Sequence, residues 1–281
     1  MATNNSLDAI LSQYEKASKG GSSSSMSQED RMKKYFAAIL KDNEKQGQKR
    51  LRILPTKDGS SPFKEVWFHE VQVDGKWVKL YDPGKNDNER SPLTEVHDEL
   101  MATGKESDKE LAKQYKPRKF YIVKVIDRDN EQDGVKFWRF KHNYKNEGVL
   151  DKIIPIFRAK GDITDPSKGR DIILELTKAK TPKGATYTVI QTVMYDDPSE
   201  VHTDKETSNA WVSDGLGWED VYSKKPVEYL EAIAKGETPK WDSGKGGYVY
   251  SNSEESEISV GGKKKYSDPQ ANQDPDDDMP F

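Results

Sequence analysis

Three turn signals cut the middle of this sequence into pairs of short strands, and that pattern restricts the chain to a β-rich fold. Asp74-Gly75 separates the runs 63–73 and 76–81, Asp133-Gly134 separates 119–127 from 135–142, and Pro182-Lys183-Gly184 separates 171–179 from 186–194. Asp-Gly tolerates the positive φ angles of a tight hairpin, and the flanking runs are rich in aromatic and β-branched residues. With a further run at 50–54, the expectation is an α+β chain, mostly β with peripheral helices, built on a five-stranded OB-type barrel.

Helical periodicity sets the surroundings of that barrel. Leu7, Ile10, Leu11 and Tyr14 share one helical face in 7–19, which runs into Gly20-Gly21 and four serines, so 1–25 reads as a helix on a flexible linker. A second helix is expected from Ser27 through Met32, Tyr35, Phe36, Ile39 and Leu40, with Asp30 completing an approximate capping box. Residues 82–116 form a polar insertion, helical from Leu93 onward. A short helix over 149–157 should break near Pro155, and another spans 226–235. The core is therefore placed at 26–242, and 243–281, dominated by Gly, Ser, Lys and acidic residues, reads as a disordered tail.

Charge follows the same division. Residues 31–195 hold 34 basic and 25 acidic side chains, a net +9, whereas 254–281 hold 3 and 8, a net −5. The whole-chain net charge of −4 conceals a basic body suited to a polyanion and an acidic end.

Within the basic body, cations interleave with aromatic rings. Trp77, Lys79 and Tyr81 lie in one hairpin, Arg118, Lys119, Phe120 and Lys124 in the next strand, and Lys136, Trp138, Arg139, Phe140, Lys141 and Tyr144 in the densest cluster. Alternation in a strand puts Lys136, Trp138 and Phe140 on one face and Phe137, Arg139 and Lys141 on the other, so aromatic rings occur on both faces and one face is expected to be core. Rings that stack on unpaired bases contribute about 1–3 kcal/mol each while Lys and Arg follow phosphates, and neither contact requires base identity. The competing reading makes these rings barrel core and the lysines a solvated outer face.

Other chemistry finds little support. There is no cysteine, and the four histidines have no zinc-type spacing. Asp129, Glu131, Asp133 and Gly134 mimic the start of a calcium loop, but Phe140 stands where the closing carboxylate belongs. No phosphate-binding loop, nucleophile elbow or dinucleotide fingerprint is present, so no catalytic residue, cofactor or metal is expected. No apolar run approaches a membrane span, and 1–30 lack a signal-peptide core. Asp276-Asp277-Asp278-Met279-Pro280-Phe281 combines charge with an apolar plug, a pattern suited to docking in a basic-rimmed pocket on a partner.

That last peptide resembles the terminal Asp-Asp-Asp-Ile-Pro-Phe of bacterial single-stranded DNA-binding proteins, with Met279 in place of isoleucine. Residues 26–158 resemble the single-stranded DNA-binding protein of T-even bacteriophages. The likeness is carried by Gly47-Gln48 before Arg52-Ile53-Leu54-Pro55, by Pro62-Phe63, by His69 before Asp74-Gly75-Lys76-Trp77, and by Phe137-Trp138-Arg139-Phe140. The resemblance implies an OB core that binds single-stranded DNA non-specifically in phage replication, recombination and repair, in the cytoplasm of a bacterial host. It implies replication and repair proteins as partners of the tip, self-association on DNA, stacking by Phe120 and Trp138, and a phosphate contact by Arg139. The family's zinc uses one histidine, matched by His69, and cysteines, whose C-P-x-C segment stands here as Ser91-Pro92-Leu93-Thr94. Without those ligands the insertion is expected to be held by packing alone, with His69 a relic. An RNA-binding or annealing protein, a protein-interaction scaffold and a nuclease are the alternatives.

Overall fold

β-Alternation over 117–127 generates the two-sided centre of this protein. In the computed structural model, which describes residues 28–249 apart from positions 74, 182–183, 223 and 243–246, helix α1 (Gln28–Lys33) leads into β1 (Tyr35–Phe36), β2 (Gln46–Ile53), β3 (Lys64–Val73) and β4 (Lys76–Tyr81). Helices α2 (Pro83–Asp87), α3 (Pro92–Ala102) and α4 (Glu106–Tyr115) follow, then β5 (Pro117–Asp127), β6 (Val135–Lys141), α5 (Val149–Lys160), β7 (Gly169–Lys180) and β8 (Thr186–Ser199). Helices α6 (Lys205–Val212), α7 (Trp218–Val221) and α8 (Val227–Ala234) precede a small ladder of β9 (Lys240–Asp242) and β10 (Gly247–Val249). The helix expected over 7–19 and the 250–281 part of the tail, with Asp276 through Phe281, lie outside the described residues.

The main sheet has eight strands in the order β1-β6-β5-β2-β7-β8, with the β3–β4 hairpin branching off β5, rather than the five strands expected. The branch arises because β5 is long enough to serve two partners along one edge. Its first half pairs with β3 (Lys64↔Ile122 to His69↔Pro117) and its end pairs with β2 (Leu51↔Asp127 to Ile53↔Val125), while β6 lines its other edge. Gly75, Gly134 and Gly184 sit at φ +83°, +68° and +89° at the three hairpin turns read from the sequence.

Both faces of this sheet are packed, which corrects the expectation of a single core face on β6. Tyr121, Val123 and Val125 of β5 join Trp138, Phe140, Leu51, Ile172 and the α5 residues Ile153 and Ile156 on one side. Phe120 and Ile122 join Phe137, Phe68, Val66 and Trp218 on the other. The far end of the β3–β4 hairpin is covered by Leu93 of α3 and by Tyr229, Leu230 and Ile233 of α8.

Two local expectations are also corrected. The helix expected across 27–40 stops at Lys33, and Tyr35 and Phe36 instead pair in parallel with Phe137 and Trp138. Adjacent rings in a strand point to opposite faces, so Tyr35 enters one core and Phe36 the other. Pro155 does not break α5, which continues to Lys160. The apolar face carrying Ile153 and Ile156 is pinned in the core, and that packing outweighs the lost backbone bond.

Candidate nucleic-acid interface

Strand register gathers the cations. Residues 68 and 70 of β3, 79 and 81 of β4, 118 and 120 of β5, and 139 and 141 of β6 share one face, so Glu70, Lys79, Arg118, Arg139 and Lys141 converge beyond the rings of Phe68 and Phe120. From there an open cleft of about 1380 Å³ wraps past the end of β6, over Lys119, His142 and Tyr144, to the start of α5 and to Tyr187 on β8. Nine Lys and Arg side chains line it, against the carboxylates of Asp98 and Glu147. A second groove carrying Trp77 opens from it, and the two share Lys79 and Arg118.

The cations in this cleft are held in graded states. Arg139, 8% exposed, lies with its guanidinium carbon 4.9 Å from the centre of Phe120 and 5.1 Å from that of Phe68, and burial lowers its pKa to about 9. Burial, aided by Arg139 and Lys141, lowers Lys79 to about 8, the neighbouring Glu70 opposing the shift. Glu70 is engaged by Arg118 at 3.2 Å and by Lys141. Lys119 opposes Trp67 in the ladder, with its ammonium 5.7 Å from the ring centre and 3.1 Å from Glu65.

Glu70 thus occupies two cations that a phosphate could use. Glu70→Gln is expected to tighten polynucleotide binding two- to five-fold, about 0.5–1 kcal/mol, the range of an exposed ion pair. The logarithmic salt dependence should steepen by about 0.7 for each added phosphate contact on a single strand. Fluorescence titrations of both chains at matched salt check this, and weaker binding by the variant would contradict it.

The ring assignments divide by exposure. Trp138 is 2% exposed and Phe120 3%, and Phe140 and Tyr81 are also buried, so these rings form the floor and core beneath the cleft instead of offering faces to bases. Phe36 meets Trp138 edge-on with ring centres 5.9 Å apart. Among the described residues that line the cleft and its side groove, Trp77 at 47%, Tyr187 at 50% and Tyr144 at 69% are the exposed rings, with Trp67 half-buried. Tyr144 stands edge-on to His142, ring centres 4.4 Å apart, which fixes its orientation through one edge.

Two candidate cations lie elsewhere. Lys136 is almost buried, 2.7 Å from Asp133 and 3.7 Å from Asp127, and Lys124 donates to the Asp214 carbonyl beside a separate pocket under Trp211 and Trp218. The calcium-like loop is a short turn, Glu131–Asp133, in which Asp133 holds Lys136 and Glu131 holds Arg128. Sequence reasoning missed Tyr187, Lys85, Lys116 and Lys152, which the fold delivers to the cleft from β8, α2, the link between α4 and β5, and α5.

The insertion is clasped as well as packed. His69, fully buried, donates from Nδ1 to the Tyr115 carbonyl at 2.6 Å, while Nε2 faces Asp82 Oδ1 at 3.3 Å and Ser91 Oγ at 3.4 Å. Burial works to raise the Asp82 carboxyl, but bonds from His69, Ser91 and the Gly84 amide outweigh it and hold the pKa below the ordinary carboxylate value. Thr94 Oγ1 donates to Asp82 at 3.4 Å. The hydroxyls of Ser91 and Thr94 are poor zinc ligands, so this donor set does not fit the family's metal. Among the described residues no group of three or more His, Cys, Asp and Glu is placed to hold a metal ion. His69 is the pin that fixes the insertion, and with it one wall of the cleft, to β3.

Among the described residues no helix is long and apolar enough to cross a membrane. No curated protein matches the chain significantly. The model of one family, described as gp32 DNA binding protein like, matches residues 45–233, which contain the whole β2–α8 span except the last residue of α8. A match of that length, over a fold that concentrates cations and exposed rings in a single cleft, makes the chain a member of the gp32-like DNA-binding protein family.

Proposed function

We propose that the chain binds single-stranded DNA without base preference, with phosphates following the Lys79–Arg118–Lys141 and Lys119–Lys145 sides of the cleft and bases stacking on Trp77, Tyr144, Tyr187 and Trp67. The observation that carries this reading is the meeting of nine cations with exposed rings in one cleft. Unpaired bases are what such rings can use, because a duplex keeps its ring faces stacked internally. Arg139, Phe120, Trp138 and Phe140 then act from below, as a desolvated positive floor and the packing that supports it. The strand β5, which holds two partners along one edge, supports reading the sheet as an elaborated OB barrel.

The wider role we propose is protection of single strands during phage DNA replication, recombination and repair in a bacterial cytoplasm, by a protein that binds without enzymatic turnover. The tip Asp276–Phe281 recruits replication and repair proteins, and the apolar residues Leu7, Ile10 and Leu11 serve self-association on DNA. Competition between equal-length oligo-dT, oligo-dA, duplex and RNA tests the binding reading. Both DNA homopolymers should compete within a few-fold of each other and the duplex should compete poorly, whereas preference for duplex or RNA would overturn it.

The acidic tail adds a second consequence. A −5 segment tethered to a +9 body competes for the cleft at high effective concentration. Removing 254–281 should tighten DNA binding several-fold at low salt, and unchanged affinity would remove the tail from the account.

A further inference from the structure

The amine of Lys79 stands apart from the cationic groups of its neighbours Arg118, Lys119 and Lys141. Lys119 is paired with Glu65, and Arg118 and Lys141 share Glu70. Among the described residues, Lys79 Nζ has neither a hydrogen bond nor an ion pair, although Glu70 lies opposite it in the ladder. It lines both the main cleft and the groove of Trp77, so it sits where the two join. The charges around that junction are Glu70 on β3, Arg118 on β5, Arg139 and Lys141 on β6, and Glu110 and Lys113 on α4. Positive charge predominates, which disfavours another ammonium. Burial is the larger cause and Arg139 and Lys141 add to it, together bringing Lys79 down to about 8. At pH 8 about half of such amines are neutral, against about 0.3% for a lysine at its ordinary 10.5. A neutral, unpaired, half-buried lysine is a nucleophile, and the chemistry open to it is addition to a carbonyl.

Intact DNA offers no such electrophile, but an abasic site does, because its deoxyribose opens to a free aldehyde at C1′. A residue without a base also has nothing to stack on Trp77 or Tyr144, so its sugar is free to settle against the junction. We propose that Lys79 captures abasic sites in bound single strands by forming a Schiff base with the open sugar. The Nζ lone pair adds to C1′ and the carbonyl electrons move to oxygen, giving a carbinolamine. Loss of that oxygen as water, with the two amine protons, leaves the imine, so no oxidant or reductant is consumed. The event is a single covalent capture, reversible by hydrolysis, and it rests on the single-strand-binding reading above.

The test uses the full chain and an oligonucleotide with one central abasic site, reduced with borohydride, which converts an imine to a stable secondary amine. Binding of the intact oligonucleotide is measured in parallel, and adduct is scored per bound strand at saturating DNA. A covalent adduct mapped to Lys79 by mass spectrometry is expected, with at least tenfold less adduct per bound strand for Lys79→Arg. Binding without an adduct, or an adduct mapped to Lys119, Lys141 or Lys145 and undiminished in Lys79→Arg, overturns the capture while leaving the binding reading intact. Failure to bind either oligonucleotide overturns both.

Discussion

A chain carrying Trp77→Ala and Tyr144→Ala together should bind oligo-dT about 30- to 20,000-fold more weakly than the parent at the same salt. The range follows from about 1–3 kcal/mol for each base that loses a stacking partner, taken twice because the two rings lie in separate arms of the groove. Both rings are substantially exposed, so their removal should leave the melting temperature nearly unchanged. The same substitutions should leave the salt dependence almost intact, because they remove no cation. Equal affinity in the double variant, with the fold intact, would mean that bases do not rest on these rings. The matched substitution Phe120→Ala should instead damage the fold first, since that ring lies in the core between Phe68 and Arg139.

The second large effect concerns stability. Asp171→Ala should destabilise the protein by about 3–5 kcal/mol, the usual consequence of removing one partner from a buried ion-pair network. Asp171 accepts from Arg52 Nε at 2.7 Å and from Arg128 Nε and Nη2 at 2.9 and 3.0 Å. Burial lowers the pKa of fully enclosed Arg52 despite that carboxylate, a sign of how poorly the site would tolerate the charge alone. The network matters because Arg52 also donates to the carbonyls of Ser199 and Glu200 and Arg128 to that of Val201, tying β2 and the end of β5 to the exit from β8. Gly169 completes it, since a Cβ there would lie 2.5 Å from two backbone oxygens and 2.7 Å from Arg52 Nη1. Urea denaturation followed by circular dichroism measures the loss, Asp171→Asn should lose less, and a loss below about 1 kcal/mol for Asp171→Ala would show that the arginines find other partners.

The strands were legible because each carries its own signal. Alternation, β-branched residues and a turn glycine are local, and the ladders around Gly75, Gly134 and Gly184 lie where those signals put them. Tyr35 and Phe36 were misread because Met32, Tyr35, Phe36 and Ile39 satisfy a helical repeat as well as a strand between two cores, and only the neighbouring β6 decides between them. Pro155 misled for a related reason, since the packing that keeps α5 whole is supplied by other strands.

The cleft was legible in its cations and illegible in its rings. Lys79, Arg118, Lys119, Arg139 and Lys141 stood out as clusters in the sequence and converge in the fold. Which aromatic rings face outward depends on what covers each side of β6, and Trp218, Ile153 and Ile172 come from far along the chain. Tyr187 had no cationic neighbour in its strand to draw notice, and β8 brings it to the cleft only through the sheet order.

Whether phosphates and bases are held together in this one cleft is tested most directly by a titration with fluorescent oligo-dT at several salt concentrations, with tryptophan emission followed alongside. Tight binding at low salt is expected, with a logarithmic slope of about −0.7 per phosphate contact and so about −3.5 to −5 for some five to seven contacts, and with quenching as bases cover Trp77 and Trp67. Absence of binding at low salt, even after removal of 254–281, would contradict that expectation and leave a protein-interaction scaffold as the better description.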